Sequence, residues 1–387
     1  MKVNKPQRRK AIMKILHTGD LHLDSPFSTA KAEKAEEAKR ELRQVFADMV
    51  AFAAKEKVSL LLIAGDLFDC GFATRETAAL ITSQLAKADC PVVIAPGNHD
   101  TADDNSIRNK KAFPDNVYIF DSEELSYFEF SQLGCRVYGY AFTGATMRNC
   151  PFSGMKVEDQ NIVNILLAHG DTASALSAYC PITAADLLNF GADYAALGHI
   201  HSPESANSEL EKKGVSAAYC GCPQGRDFGE CGNKGAWLVD IEKIGEGAKV
   251  EKQFIKFAKK IYEDTTVRFD RAENTAEIIS EIRTVISENG YGENTVLRIE
   301  LTGNVAPGLV IVCDQLEEQC GEGLSSLTVI DNTVPALTSD ELEYDRGIKG
   351  EVYRLLSVKI ENGTPEERND AISALRYALA ALDGESI

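Results

Sequence analysis

The chain has 387 residues, 44% hydrophobic and 26% charged, which excludes a single small domain and wholesale disorder and points to two domains with a terminal appendage. No apolar run approaches the ~20 residues that cross a bilayer, MKVNKPQRRKAIMKIL lacks the cleavage end of a signal peptide, and ten scattered cysteines suit reduced thiols, so a cytoplasmic protein without membrane contact is expected. The formal net charge of −18 argues against a surface that embraces a polyanion, although −12 of it falls in residues 256–387 and −6 in residues 1–255, where bound cations would offset it.

In chain order, the basic start (Lys2, Lys5, Arg8, Arg9, Lys10) reads as a solvated tail, with a phosphate-contacting arm as the alternative. Five short apolar runs then end in polar clusters: AIMKIL into HTGDLH, LLLIA into GDLFD, PVVIA into PGNHD, IVNILLA into HGD, and YAAL into GHIH. Each reads as a buried strand delivering polar residues at its carboxyl end. Lys31 to Lys57 carries Leu42, Val45, Phe46, Met49, Val50 and Phe52 near a 3.6 period, and Arg75 to Lys87 fills the next gap as a second helix. Alternating strands and helices predict an α/β domain whose ligands gather at the strand ends.

From Gly214 the pattern gives a strand, a Gly-rich turn and a strand over Ala236–Ile241, then a Lys, Glu and Gly-rich connector over 242–260. TTVRFD, a helix capped by Asn274 with Glu277 three residues on, and the runs TVLRIEL, LVIVC and LTVI predict a smaller α/β unit. After about Ser339 the chain turns helical. Thr364, Pro365 and Glu367 open a last helix, whose stripe of Ile372, Leu375, Leu379 and Leu382 packs on its own domain or docks a partner. The expected boundaries are 1–255, 256–338 and 339–387.

Chemistry concentrates in the first half. All six histidines (His17, His22, His99, His169, His199, His201) lie before residue 202. Asp20-Leu-His22, Gly65-Asp66, Gly97-Asn98-His99-Asp100, His169 and Gly198-His199-Ile200-His201 are each weak alone, but five in order, each after an apolar strand, form a joint signal. Residues two apart at a strand end project to one side, so Asp20 with His22, and His199 with His201, would each serve one region of space. Asp66 can bridge two cations ~3.5 to 4 Å apart, and Asn98 adds a neutral oxygen. Nitrogen and oxygen donors without thiolate suit Mn, Fe or Zn better than Mg or Ca, and Mn is the expected ion, with Fe or Zn as alternatives. His17 reads as structural, Cys70 as unreactive, and Cys220, Cys222 and Cys231 lack the spacing of a zinc site. No G-x-S-x-G motif occurs, and Gly229, Gly232 and Gly235 lie in a turn where a dinucleotide loop would need to open a helix.

The order D-x-H, GD, GNH(D), H, GHxH over about Lys14 to Ile241 resembles the calcineurin-like metallophosphoesterase superfamily. HTGDLHLDSPF, GDLFD and GCPQGRDFGE followed by KGAWLVDIE resemble more narrowly the SbcD-type DNA repair exonucleases of the YhaO-like bacterial branch. The resemblance implies a four-layer αββα sandwich, a smaller α/β capping domain and a helical C-terminal region. It implies two divalent metal ions, one on Asp20, His22, Asp66 and His201 and the other on Asp66, Asn98, His169 and His199, with a metal-bridging hydroxide as nucleophile. His99 stays free to face the scissile phosphate as the catalytic residue, while Asp69 and Asp100 are candidates to orient ligands, with solvent-facing or capping roles as the alternative. Some members carry a histidine at Asp69, whose role does not transfer. DNA as substrate, an SMC-like ATPase partner and a homodimer are implied in the same way. The rival readings are a phosphodiesterase or phosphomonoesterase for a small nucleotide, and a noncatalytic metal-binding scaffold for the ATPase.

Overall fold

The computed structural model describes residues 12–27, 32–69, 71–102, 113–306, 309–336, 342 and 344–383; the basic N-terminal tail and Cys70 lie outside the described residues. The five apolar runs form strands β1 (Met13–Thr18), β2 (Leu60–Ile63), β3 (Val92–Ile94), β7 (Val163–His169) and β8 (Tyr194–Gly198). Their near-continuous hydrophobicity has a simple cause: they are inner, parallel strands covered on both faces. β1, β2 and β3 pair parallel in one sheet, β7 and β8 in another.

The first sheet has the order β11-β10-β1-β2-β3-β4, with β4 (Val117–Ile119), β10 (Gly235–Ile244) and β11 (Gly247–Lys256) completing it. The second has the order β5-β6-β7-β8-β9, adding β5 (Ser126–Phe130), β6 (Cys135–Gly139) and β9 (Ala217–Tyr219). Ile15, Leu60, Leu62, Val93 and Val239 from the first sheet and Val137, Ile165, Leu167 and Ala196 from the second share one buried cluster, so the sheets pack face to face. The outer face of the first sheet is covered by α1 (Ala32–Glu56) and α2 (Arg75–Leu85), through Leu42, Phe46, Met49 and Ile81. The outer face of the second is covered by α3 (Ala184–Phe190) and α4 (Glu204–Lys212), through Leu187, Phe190 and Leu210. The four-layer αββα sandwich is the result.

The chain divides into two compact units, Met1–Lys259 and Lys260–Ile387. In the second, β12 (Ile261–Ala272), β13 (Thr295–Val305) and β14 (Ser326–Pro335) run parallel, and α5 (Thr275–Asn289) and α6 (Cys313–Cys320) cover one face through Ile278, Ile282 and Leu316. Asn274 caps α5, its side chain accepting from the Glu277 amide. Two helices follow, Ile348–Asn362 and Pro365–Asp383. The last buries Ala371, Leu375 and Leu379 and sends Arg376 to Asp331 and Thr333 of β14, so it packs on its own unit.

Two sequence expectations are corrected. Residues 242–260 are no connector: β10 continues to Ile244 and turns into β11, an edge strand whose solvated face carries the lysines and glutamates that masked its period. LVIVC is no strand either, since its first four residues lead into α6, which begins at Cys313.

Candidate metal centre

At the carboxyl ends of β1, β2, β3, β7 and β8 the chain reverses sharply to aim side chains between the two sheets. Asp20, His22, Asp66 and His199 have φ values of 49°, 45°, 49° and 107°, in the left-handed region that costs a non-glycine residue roughly 1–3 kcal/mol each. Glycines precede the expected ligands because a Cβ there would collide with neighbouring side chains of the site. A Cβ on Gly65, whose own φ is +88°, would lie 2.4 Å from His169 Nδ1, and one on Gly97 would lie 2.2 Å from Asp66 Oδ1.

Ligand atoms of Asp20, His22, Asp66 and His201 all lie within 4.8 Å of one another. Asp66 sits between two groups, its Oδ2 3.6 Å from His22 Nε2 and 3.5 Å from His169 Nε2. His169 Nε2 is 3.0 Å from Asn98 Oδ1. His199 stands edge-on to His169 with ring centroids 5.2 Å apart, and Tyr179 packs on it at 5.0 Å. Its backbone amide donates to both Asp20 oxygens at 3.0 Å. The structure thus gathers the first expected set tightly, whereas in the second His199 adjoins His169.

The donor chemistry tests whether cations fit. His169 Nδ1 donates to the Ala64 carbonyl at 2.8 Å, which leaves its Nε2 lone pair facing another acceptor, the Asn98 oxygen. His22 Nδ1 faces Asp69 Oδ1 at 2.7 Å and His201 Nδ1 faces Glu230 Oε1 at 2.7 Å. Their two Nε2 atoms then confront each other at 3.2 Å as lone pairs. With the rings neutral, these two acceptor pairs held face to face beside buried carboxylates are repulsive on their own and are satisfied by cations, protons on the rings or divalent ions in their place. The residues fit divalent metal ions.

Electrostatics agree. Burial pushes the Asp66 carboxyl up, but positive charge at the surrounding His169, His22 and His99 rings prevails and holds it below its ordinary range. Asp69 is held low against burial by hydrogen bonds from His22 and His99. Asp100, fully buried, accepts from the amides of Asp66 (3.1 Å), Leu67 (3.1 Å) and Gly97 (2.7 Å) and so ties the β2 turn to the β3 turn. His99 lies at the rim with its side chain 51% exposed and Nδ1 3.1 Å from Asp69 Oδ1. That bond raises its pKa, against burial.

Sequence reading missed Glu230 and Arg226. Glu230 supports His201, and Arg226 Nη2 donates to Glu230 Oε1 at 2.6 Å and lies 3.1 Å from His201 Nδ1. Burial pushes Glu230 up, yet His201 and Arg226 hold it well below the usual carboxylate range. The only signal was the stretch RDFGE inside the Gly-rich turn. His17 is a core residue whose Nδ1 bonds Tyr194 Oη at 2.9 Å, and among the described residues no cysteine joins a cluster able to hold a metal.

Residues 13–203 match the calcineurin-like phosphoesterase family. Among curated proteins, this chain is 27% identical over 307 residues to the uncharacterized metallophosphoesterase YhaO of Bacillus subtilis, covering 76% of this chain and 73% of that one. It is 25% identical over 263 residues to the SbcD component of the nuclease SbcCD of Staphylococcus epidermidis, covering 59% and 66%. Against the DNA double-strand break repair protein Mre11 of Saccharolobus solfataricus it is 27% identical over 247 residues, covering 60% and 61%. The family match supports a hydrolase acting on phosphoesters, and the identities support the superfamily without choosing its branch. Among the described residues no helix is long and apolar enough to cross a membrane.

Proposed function

We propose that this chain is a metal-dependent phosphodiesterase acting as a DNA exonuclease in repair. Asp20, His22, Asp66 and His201 would hold one divalent ion, and Asp66, Asn98, His169 and His199 a second. The observation that carries the reading is the pair of facing acceptors, His22 Nε2 with His201 Nε2 and His169 Nε2 with Asn98 Oδ1, on either side of Asp66. Bound divalent ions, Mn first, supply water of lowered pKa and withdraw charge from a phosphoryl oxygen. The protein's own residues do the rest. Asp69, Glu230 and the Ala64 carbonyl fix the three imidazoles in the tautomer that binds. His99, with Nδ1 committed to Asp69, keeps Nε2 available at the rim to donate to a leaving oxygen. The SbcD-type branch, its SMC-like ATPase partner, a homodimer, and residues 256–338 and 339–387 as capping domain and helical tail belong to the same proposal. It rests on the quoted motifs and on the nuclease and repair relatives.

The test is the purified chain with Mn and end-labelled duplex or single-stranded DNA. The expected result is release of label, with His99→Ala lowering kcat by roughly 10²- to 10⁴-fold while both ions are retained by metal analysis. The net charge of −18 favours one second reading, a small nucleotide ester as substrate. Turnover of such an ester with intact DNA would select it, and absence of any turnover would leave the metal-binding scaffold.

A further inference from the structure

The first unit has a second concave site, which His201 also lines. β9 has three residues and its neighbours across the sandwich, β10 and β11, ten each, so the hairpin outruns the sheet edge opposite it. There Trp237 and Phe254, cross-strand partners, stand edge to face with centroids 5.1 Å apart. Trp237 Nε1 donates to the Tyr219 carbonyl at 2.9 Å, which fixes the indole. Lys252 donates to the Ala217 carbonyl at 3.1 Å, with its ammonium 5.9 Å from the indole centroid. These side chains floor a cavity of about 590 Å³ whose other wall is α4. It reaches Gly221 and His201, so it adjoins the metal centre.

The lining selects a ligand class. Two cations, Lys234 and Lys252, face two carboxylates, Glu204 and Glu211, so no net charge is favoured. Lys234 is moreover committed to the His201 carbonyl at 2.9 Å. An aromatic floor with a polar rim that includes Ser208 and Asn233 suits a flat, uncharged heteroaromatic with donors and acceptors on its edge. The volume lies within the roughly 300–1,000 Å³ of small-molecule sites. We propose that this cavity binds a nucleobase, brought by a free nucleoside or by an unpaired strand end whose phosphoester lies at the metal centre. The proposal deepens the phosphodiesterase reading and rests on it for that placement.

Trp237 is the sole tryptophan, so its emission reports occupancy independently of turnover. The full chain is titrated with deoxyadenosine, with single-stranded oligodeoxyadenylate and with a blunt duplex of the same length. Saturable quenching by the nucleoside or the single strand, and none by the duplex with its bases stacked, is the expected result; whichever of the two binds more tightly names the source. Ser208→Phe, an exposed helix position that would fill the mouth, should weaken binding roughly tenfold, as should Phe254→Ala from the floor. No quenching by either probe, or quenching that both variants leave unchanged, overturns the proposal. Hydrolysis of bis(p-nitrophenyl) phosphate by the unmodified chain is read separately. Turnover without quenching removes the base site alone, and quenching without turnover removes the phosphodiesterase reading while the base site stands.

Discussion

Gly198→Ala puts the two-sheet construction of the centre to a quantitative test. A Cβ at Gly198 would lie 1.9 Å from the Ala64 carbonyl oxygen, where real Cβ contacts essentially never fall under 3.0 Å, so that carbonyl must retreat by about 1.1 Å. The same oxygen holds His169 Nδ1 at 2.8 Å, and a shift of that size takes the bond out of hydrogen-bond range. The substitution therefore both overpacks the sheet contact, at a typical cost of about 1–3 kcal/mol, and releases the proton that fixes the His169 tautomer. Losing such a support lowers metal affinity by roughly 10- to 100-fold. Urea denaturation of the metal-free protein measures the first effect and calorimetric titration with Mn the second. Gly144→Ala, where a Cβ meets nothing within 4 Å, is the control and should change neither. If Gly198→Ala bound Mn as tightly as the parent with the same urea midpoint, the proposed coupling through Ala64 would be wrong.

Three further outcomes are expected. His17 is fully buried, and burial is the main reason its pKa falls to about 3 from 6.5. It stays neutral in the fold while the unfolded chain takes up a proton. Its contribution is whole above pH 6.5 and is lost as pH falls toward 3, at up to ~1.4 kcal/mol per pH unit; His17→Gln should flatten the acid limb of urea midpoint against pH by about one proton. Lys243 and Asp193 pair at 2.8 Å with side chains 6% and 4% exposed, so Lys243→Met should cost ~3–5 kcal/mol in denaturant melts, with much of it recovered in the Lys243→Met, Asp193→Asn double variant. Mn at about 100 times its Kd should stabilise the chain by about 2.7 kcal/mol, and excess chelator should reverse the gain in thermal melts; an unchanged Tm would speak against ions at this centre.

Much of the first unit was legible because its inner strands are apolar on both faces and stop abruptly at polar clusters. The glycines in GD, GNHD and GHIH were legible as motif letters, but their reason, the approach of Gly65 and Gly97 to His169 of the other sheet, exists only once both sheets are assembled. Glu230 and Arg226 were not found because they meet His201 across 29 and 25 residues through an irregular turn that no period announces. β4 and β5 went unread since short, half-solvated strands leave little pattern, and β6, though buried, mixes an arginine, a tyrosine and a glycine into five residues. LVIVC misled for a related reason: a five-residue apolar run does not distinguish a strand from the buried approach to a helix.

The donors are split between the layers: Asp20, His22, Asp66 and Asn98 come from one sheet, His169, His199 and His201 from the other. No stretch of chain ending before His201 can own the complete set, however well its own sheet folds. A growing polypeptide therefore cannot assemble the proposed metal centre piecemeal: its donors come together all at once, when the second layer closes on the first.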